Sequence, residues 1–415
     1  MPPSSALAAA RADLADLLGD DARLFRFARR AALAVVPVML AIVFGLAGTG
    51  PSPTRSWLGD ILGMDFTQVW VAGRGALDGR AAQAYDLPVH LENLKAAFGP
   101  ECRFAWHYPP VFLLPAAALA WLPPQPAFWL WSLLSLSVFA GSLRMAAGRS
   151  DAVLIGLAHP LVFCTLIYGQ NAMLTAGLLT FGVVLVDRRP WVAGLCFGLV
   201  AYKPQLAALA PLLLLATGRW RPLAACGLTV AALCGLSLAL FGPAPWWGFL
   251  GTLGETNRII LESAAAGLDI NASAFGAVRL AGGPLAAAWV VQGAASLAAL
   301  ALAWQVWRAC PKANLRAAAL LAAAPMLSPY VPLYDLTPLV PATLFLVLHA
   351  ARTGGLRGPE RWLLLAAPLT ALLRPAAATG IAFGFPLALA TLACIALRSL
   401  PGIRPFPGTE RQRPA

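Results

Sequence analysis

Residues 170–217 read QNAMLTAGLLTFGVVLVDRRPWVAGLCFGLVAYKPQLAALAPLLLLAT. Charge in this stretch is confined to Asp187, Arg188, Arg189 and Lys203, and the sequence between them is apolar all round rather than along one face. A helix on a soluble core shows a polar stripe and a membrane-barrel strand alternates; these runs do neither. Runs of about 15 to 20 apolar residues recur from Ala31 to Leu397, more than one water-soluble core absorbs. The 415-residue chain is 59% hydrophobic and 12% charged, against roughly 25% charged in an average soluble domain. A soluble enzyme, a disordered tail protein and a β-barrel are excluded. An all-α, polytopic transmembrane helical bundle is predicted.

The net charge of +12 does not point to nucleic acid, and no nucleic-acid partner is expected. The arginines cluster beside apolar runs, at Arg23, Arg26, Arg29 and Arg30, at Arg188 and Arg189, at Arg219 and Arg221, and at Arg308, Lys312 and Arg316. That is the positive-inside pattern of short cytoplasmic loops. It predicts a cytoplasmic N-terminal segment (1–30), an integral-membrane domain (31–398) and a cytoplasmic tail (399–415). About twelve crossings are expected, with the short pairs 109–122/127–146 and 190–202/205–217 including dipping hairpins. Two long segments, 49–108 and 243–283, fall on the extracytoplasmic side, and segments that long are usually functional. The first apolar run follows the Arg26–Arg30 cluster, so a signal anchor is expected rather than a cleaved leader. The seven cysteines show neither a disulfide framework nor zinc spacing.

Polar residues interrupt the apolar sequence at a few places on the extracytoplasmic side. In Met64-Asp65-Phe66, Asp65 opens a helix whose Phe66, Val69, Trp70, Gly73 and Leu77 share helical spacing, predicting an interfacial helix. Asp65 is either its N-cap or a functional carboxylate at membrane depth; spacing alone does not separate the two. His107 and Tyr108 precede Pro109-Pro110 at the end of the loop, His107 as an interfacial anchor or a ligand. Gln170 and Asn171 bring amides that must find partners. Lys203, before Pro204-Gln205, is one of three lysines; it is a snorkelling cation or, as favoured here, an anion ligand. Ser328 to Asp335 forms a proline-rich break holding Tyr330 and ending on a carboxylate, and Arg258 and Arg279 are the loop cations suited to a phosphate. No phosphate loop, HExxH, GxSxG or DxD pair occurs.

Taken in order, Asp65-Phe66, Trp70-x-Ala72-Gly73-Arg74, Tyr85-Asp86, Tyr108-Pro109-Pro110, Gly169-Gln170-x-x-Met173-Leu174, Lys203-Pro204-Gln205 and Ser328-Pro329-Tyr330 resemble one family. It comprises the polyprenol-phosphate-sugar-dependent membrane glycosyltransferases of glycosyltransferase family 87, in the GT-C superfamily. The likeness covers about residues 31 to 350. It implies a GT-C fold, a polyprenyl-phosphate-sugar donor and a catalytic base at Asp65. The sugar is expected to be a hexose, mannose in the best-known members, and the acceptor a lipid-linked or envelope glycan or glycolipid. The site is expected to face the periplasm from the inner membrane.

The chemistry agrees with the inventory. A phosphate leaving group needs neither a general acid nor a metal, so no cofactor is expected. One base takes the acceptor proton, a role for Asp65. Cations stabilise the departing phosphate, a role for Lys203, Arg258 or Arg279. His107, Tyr108, Gln170, Asn171, Gln205, Tyr330 and Asp335 are the expected sugar and acceptor contacts. Membrane lipids surround the donor tail. The competing reading is a transporter or flippase for a lipid-linked sugar, which would use the same cations but commonly shows internal repeats; a non-catalytic scaffold subunit comes third.

Overall fold

The protein was analysed as a computed structural model in which residues 14, 17–48, 63–100, 102–262, 267–373 and 382–400 are described. The start of the first long loop, 49–62, and the end of the tail, 401–415, lie outside the described residues, as does most of segment 1–16. Among the described residues the chain is helical, with one isolated antiparallel bridge between Asn271 and Pro332. The helices that matter for the site are α1 (Asp21–Gly48), α2 (Met64–Leu77), α3 (Leu87–Phe98), α4 (Leu113–Leu119), α5 (Pro124–Ala147), α6 (Ser150–Leu157), α7 (Pro160–Tyr168), α8 (Ala172–Leu185) and α9 (Pro190–Gly198). They continue with α10 (Leu209–Ala216), α11 (Trp220–Phe241), α12 (Ala244–Asn257), α13 (Ala274–Leu280), α14 (Leu285–Ala309), α15 (Ala313–Ala323), α16 (Leu339–Ala350), α17 (Gly358–Leu373) and α18 (Gly384–Ser399).

Prolines start many of these helices and glycines end them. Pro124, Pro160 and Pro190 occupy first-turn positions, where their missing N–H would have no helical partner anyway. Gly148 and Gly169 close α5 and α7 in the left-handed conformation. Such punctuation cuts the apolar sequence into pieces of unequal length. Among the described residues five helical segments are long and apolar enough to cross a bilayer: 21–45, 124–147, 220–241, 285–309 and 333–350. A sixth arises if α6 and α7, bent by 60° at His159-Pro160, act as one span. Six apolar helices of 10–17 residues accompany them.

Two features mark a multi-pass membrane protein. α15 is buried around its whole circumference, with Leu315 and Ala317 through Ala323 all inside, and it packs on α14, α16 and α18 at the centre. Conversely, α1, α11 and α14 turn large apolar side chains outward: Phe44 is 60% exposed, Leu228 63% and Val290 72%. Apolar outer faces of this extent would be a liability in water and are ordinary in lipid.

The first long loop folds back onto the bundle. α2 rests on α4, Gly73 lying so close that a Cβ there would sit 2.1 Å from the Ala116 carbonyl oxygen. Phe66, Val69 and Ala72 of α2 join Phe112, Leu113 and Ala116 in one apolar cluster, so the helix expected at the interface is largely covered by protein on that side. α12, from the second long loop, packs on the turn at Ala81–Tyr85, with Tyr85 and Phe249 edge to face. The two long loops therefore form one cap.

Candidate active site

Under this cap five sequence breaks converge, those at Asp65, Tyr108, Gln170-Asn171, Lys203 and Tyr334-Asp335. The α7–α8 break supplies Gln170 and Asn171. Gly169, at φ 70°, approaches α2 so closely that a Cβ would meet Phe66 Cβ at 2.7 Å, and the indole N–H of Trp131 donates to its carbonyl at 3.1 Å. The Gly63 N–H donates to Ile167 O at 2.8 Å, fixing the start of α2 against the end of α7. Asp65 is thereby presented to Gln170.

The Gln170 amide N–H donates to Asp65 Oδ2 at 2.7 Å and to the Tyr334 hydroxyl at 3.1 Å. Its carbonyl oxygen accepts from the Tyr108 hydroxyl at 3.2 Å, and Asn171 Nδ2 donates to that hydroxyl at 3.0 Å. The chain Asn171, Tyr108, Gln170, Asp65 thus has every donor pointing towards the carboxylate. Tyr108 is held in turn by the Tyr85 hydroxyl, which donates to its backbone carbonyl at 2.9 Å, and by a tilted ring contact with Phe112, centroids 4.4 Å apart. The N-cap position of α2 is Gly63 and makes no side-chain cap. The Asp65 carboxylate accepts from Gln170 instead, so Asp65 is not the N-cap of α2.

Asp65 keeps part of its surface open. Burial of the rest raises its pKa above the ordinary carboxylate value, opposed by the hydrogen bonds of Gln170 and Tyr334 and by the Lys203 charge, and reinforced by Asp335. Tyr108 and Tyr330 are pushed upward chiefly by burial, with the Asp65 and Asp335 charges adding to it.

Lys203 and Asp335 form an ion pair at 2.6 Å, with side chains only 5% and 7% exposed. At that burial Lys203 does not snorkel: its ammonium stays inside, 5.8 Å from the Tyr334 ring centroid. Asp335 arrives on a short 3-10 turn, Leu333–Leu336, that is stitched to the second long loop. Ala272 N donates to Val331 O at 2.7 Å, Val331 N to Asn271 Oδ1 at 3.0 Å, and Asn271 Nδ2 and Ser273 Oγ donate to Pro329 O at 3.1 and 2.6 Å.

The remaining expected residues stand apart. His107 lies beside His90 of α3, and burial lowers the pKa of each to about 4. Gln205 and Arg258 are exposed. Arg279 donates to the Gly283 carbonyl at 3.1 Å, closing the end of α13. Among the described residues no hydrogen bond joins Gln205, Arg258 or Arg279 to Asp65. Sequence reasoning missed Tyr334 as a site residue. It lay in the quoted break next to Asp335, but which of Tyr330 and Tyr334 reaches Gln170 depends on the 3-10 turn.

The family model for glycosyltransferase family 87 matches residues 106–329, more than half of the chain. No curated protein and no solved structure matches it. The matched region contains Tyr108, Gln170, Asn171 and Lys203. Asp65, Tyr334 and Asp335 lie outside it and are joined to it by the bonds just described.

Proposed function

The chain belongs to glycosyltransferase family 87, and from that membership we propose that it moves a hexose, mannose by preference, from a polyprenyl-phosphate donor to a lipid-linked or envelope glycan. The transfer takes place on the periplasmic face of the inner membrane and inverts the anomeric centre. In this reading residues 31–398 form one GT-C domain of about twelve crossings, and loops 49–108 and 243–283 cover the site. The donor tail lies in a lipid-open groove between spans.

The observation that supports it is the partly exposed Asp65 at the end of a one-way chain of donors. An acceptor hydroxyl gives its proton to Asp65 as its oxygen bonds to the anomeric carbon. The bond from that carbon to the phosphate oxygen breaks, and polyprenyl phosphate departs with the electron pair. A base whose pKa stands above the usual carboxylate range is better matched to this proton than an ordinary aspartate. Lys203, with Arg258 or Arg279 brought in by the donor, meets the growing phosphate charge. Asp335 and Tyr330 face the sugar. Gln170, bonded on both sides, holds Asp65 in place. No metal is invoked, because the phosphate leaves readily.

Transfer from radiolabelled polyprenyl-phosphate hexoses in membranes containing wild type or Asp65→Asn tests this. Label should reach a lipid or glycan acceptor only with the wild type, and the hexose that moves identifies the donor. Near-normal transfer by Asp65→Asn would remove the base from Asp65. No transfer from any donor by folded wild type would favour the flippase.

A further inference from the structure

A second site lies at the far end of the α8–α9 pair. α8 starts beside Asn171 and runs 14 residues, roughly 21 Å, before the chain turns at Asp187–Arg189 and returns through α9 to Lys203. At that turn a cavity of ≈ 600 Å³ opens between the C-terminal ends of α5 and α8 and the start of α9. Met145, Phe181, Leu185 and Val192 give it apolar walls, and Arg188 and Arg189 give it two guanidinium groups.

The charges at this turn are divided unequally. Asp187, the local acid, already accepts from both Arg219 and Arg316. Arg188 and Arg189 are exposed and have no ion pair among the described residues. Met145 and Val192 are exposed on the cavity's outer side, as is the neighbouring Trp191. Apolar side chains facing outward beside a tryptophan place this end at a membrane interface, where indoles and arginines collect. An occupant must therefore be anionic at one end and apolar at the other. A phosphodiester fits paired guanidinium groups through parallel N–H···O bonds. A free phosphate would leave the four apolar walls bare.

We propose that this cavity binds one anionic glycerophospholipid, its phosphodiester on Arg188 and Arg189 and the start of an acyl chain against Phe181, Leu185 and Val192. The lipid belongs to the face opposite the transfer site and is neither donor nor acceptor. It clamps α5, α8 and α9 together at the end remote from Gln170 and Lys203.

The full chain, purified with neutral phosphatidylcholine, should retain one phosphatidylglycerol preferentially when the bound lipids are counted by native mass spectrometry. Arg188→Gln/Arg189→Gln should weaken that retention on the order of tenfold. Val192→Trp, which crowds the apolar wall of the cavity and keeps both cations, should weaken it too. Arg188→Lys/Arg189→Lys should retain part of it, because the charge survives without the fork. Equal retention by wild type and the double glutamine variant would overturn the proposal. So would full retention by Val192→Trp, since the attraction would then be diffuse charge and not a cavity. Inorganic phosphate raising the unfolding temperature as much as phosphatidylglycerol does would also overturn it, marking a free-phosphate site. Matching unfolding temperatures of all variants in phosphatidylcholine alone separate lost lipid from lost fold.

Discussion

Gln170 is the residue through which the site is tuned. Its amide donates to Asp65 and accepts from Tyr108, so it has little left to offer a sugar. A sugar contact is expected from its sequence; the bonds it makes in the structure run to Asp65, Tyr334 and Tyr108. Its hydrogen bond pulls the Asp65 pKa down against burial. Removing it in Gln170→Leu therefore raises that pKa further, and the acidic limb of the kcat/KM profile should move to higher pH. A hydrogen bond to a charged group is worth about 1.5–3 kcal/mol, so kcat should fall by about 10- to 100-fold. An unmoved limb in a pH–rate series would show that Asp65 is not the titrating base. Lys203 calls for a different experiment. Lys203→Ala strands Asp335 as a buried unpaired charge, which costs about 3–5 kcal/mol and confuses loss of donor binding with loss of fold. Lys203→Met/Asp335→Leu should recover most of the unfolding temperature but not the donor affinity. Recovery of both would remove Lys203 from phosphate binding. Asp65, Tyr108, Gln170 and Asn171 were legible because each is polar in an apolar setting, where a polar group must have a partner. The Lys203–Asp335 pair was not. Its members are 132 residues apart, and nothing in a single sequence couples them.

At the scale of elements, the close pass of α2 over α4 governs where Asp65 ends up. Gly73 has its would-be Cβ 2.1 Å from a backbone oxygen, which no side-chain rotation relieves. Gly73→Ala should push the two helices apart, destabilise the cap by about 1–3 kcal/mol or more, and reduce transfer although residue 73 touches no substrate. A thermal unfolding series on purified protein measures the first effect, and an unchanged midpoint would contradict the contact. The long spans were readable from hydropathy: 127–146, 222–242 and 284–307 correspond to α5, α11 and α14 within a few residues. Breaks inside apolar runs were not. Hydropathy also predicts one span over 152–168, where the structure has two helices at 60°; only His159-Pro160 interrupts the apolar sequence there, and it marks the bend. The piece 109–122 is a 3-10 turn plus a short helix, 10 residues in all, roughly 15 Å against a bilayer core of about 30 Å. α1 starts ten residues before the expected span, at Asp21. Arg23, Arg26 and Arg30 are exposed on it, and Arg29 pairs with Asp151 at 3.1 Å, so the helix carries its cations without burying them.

Among the described residues, the more buried ion pairs that tie distant segments together fall at two ends of the molecule. Asp187 with Arg219 and Arg316, Asp21 with Arg361, and Glu360 with Arg398 lie on the arginine-rich turns. The Lys203–Asp335 pair lies at the other end of the α8–α9 hairpin. If the first loop is extracytoplasmic, a cysteine at Asp78 should react with an impermeant maleimide in intact cells, and protection there would invert the topology. Asp78 is suited to this, being on the exposed end of α2 where it pairs only with Arg74 and Arg80.

The bridge at Asn271 and Pro332 gives the second loop mechanical leverage. The segment just before the turn that carries Tyr334 and Asp335 is sewn at Pro329 and Val331 to residues 271–273 by four hydrogen bonds. A glycan or neighbouring protein that grips this loop from outside would tug on Asp335, and through Lys203 and Tyr334 on the surroundings of Asp65. Changes in the loop then reach the surroundings of Asp65 without altering Asp65 itself.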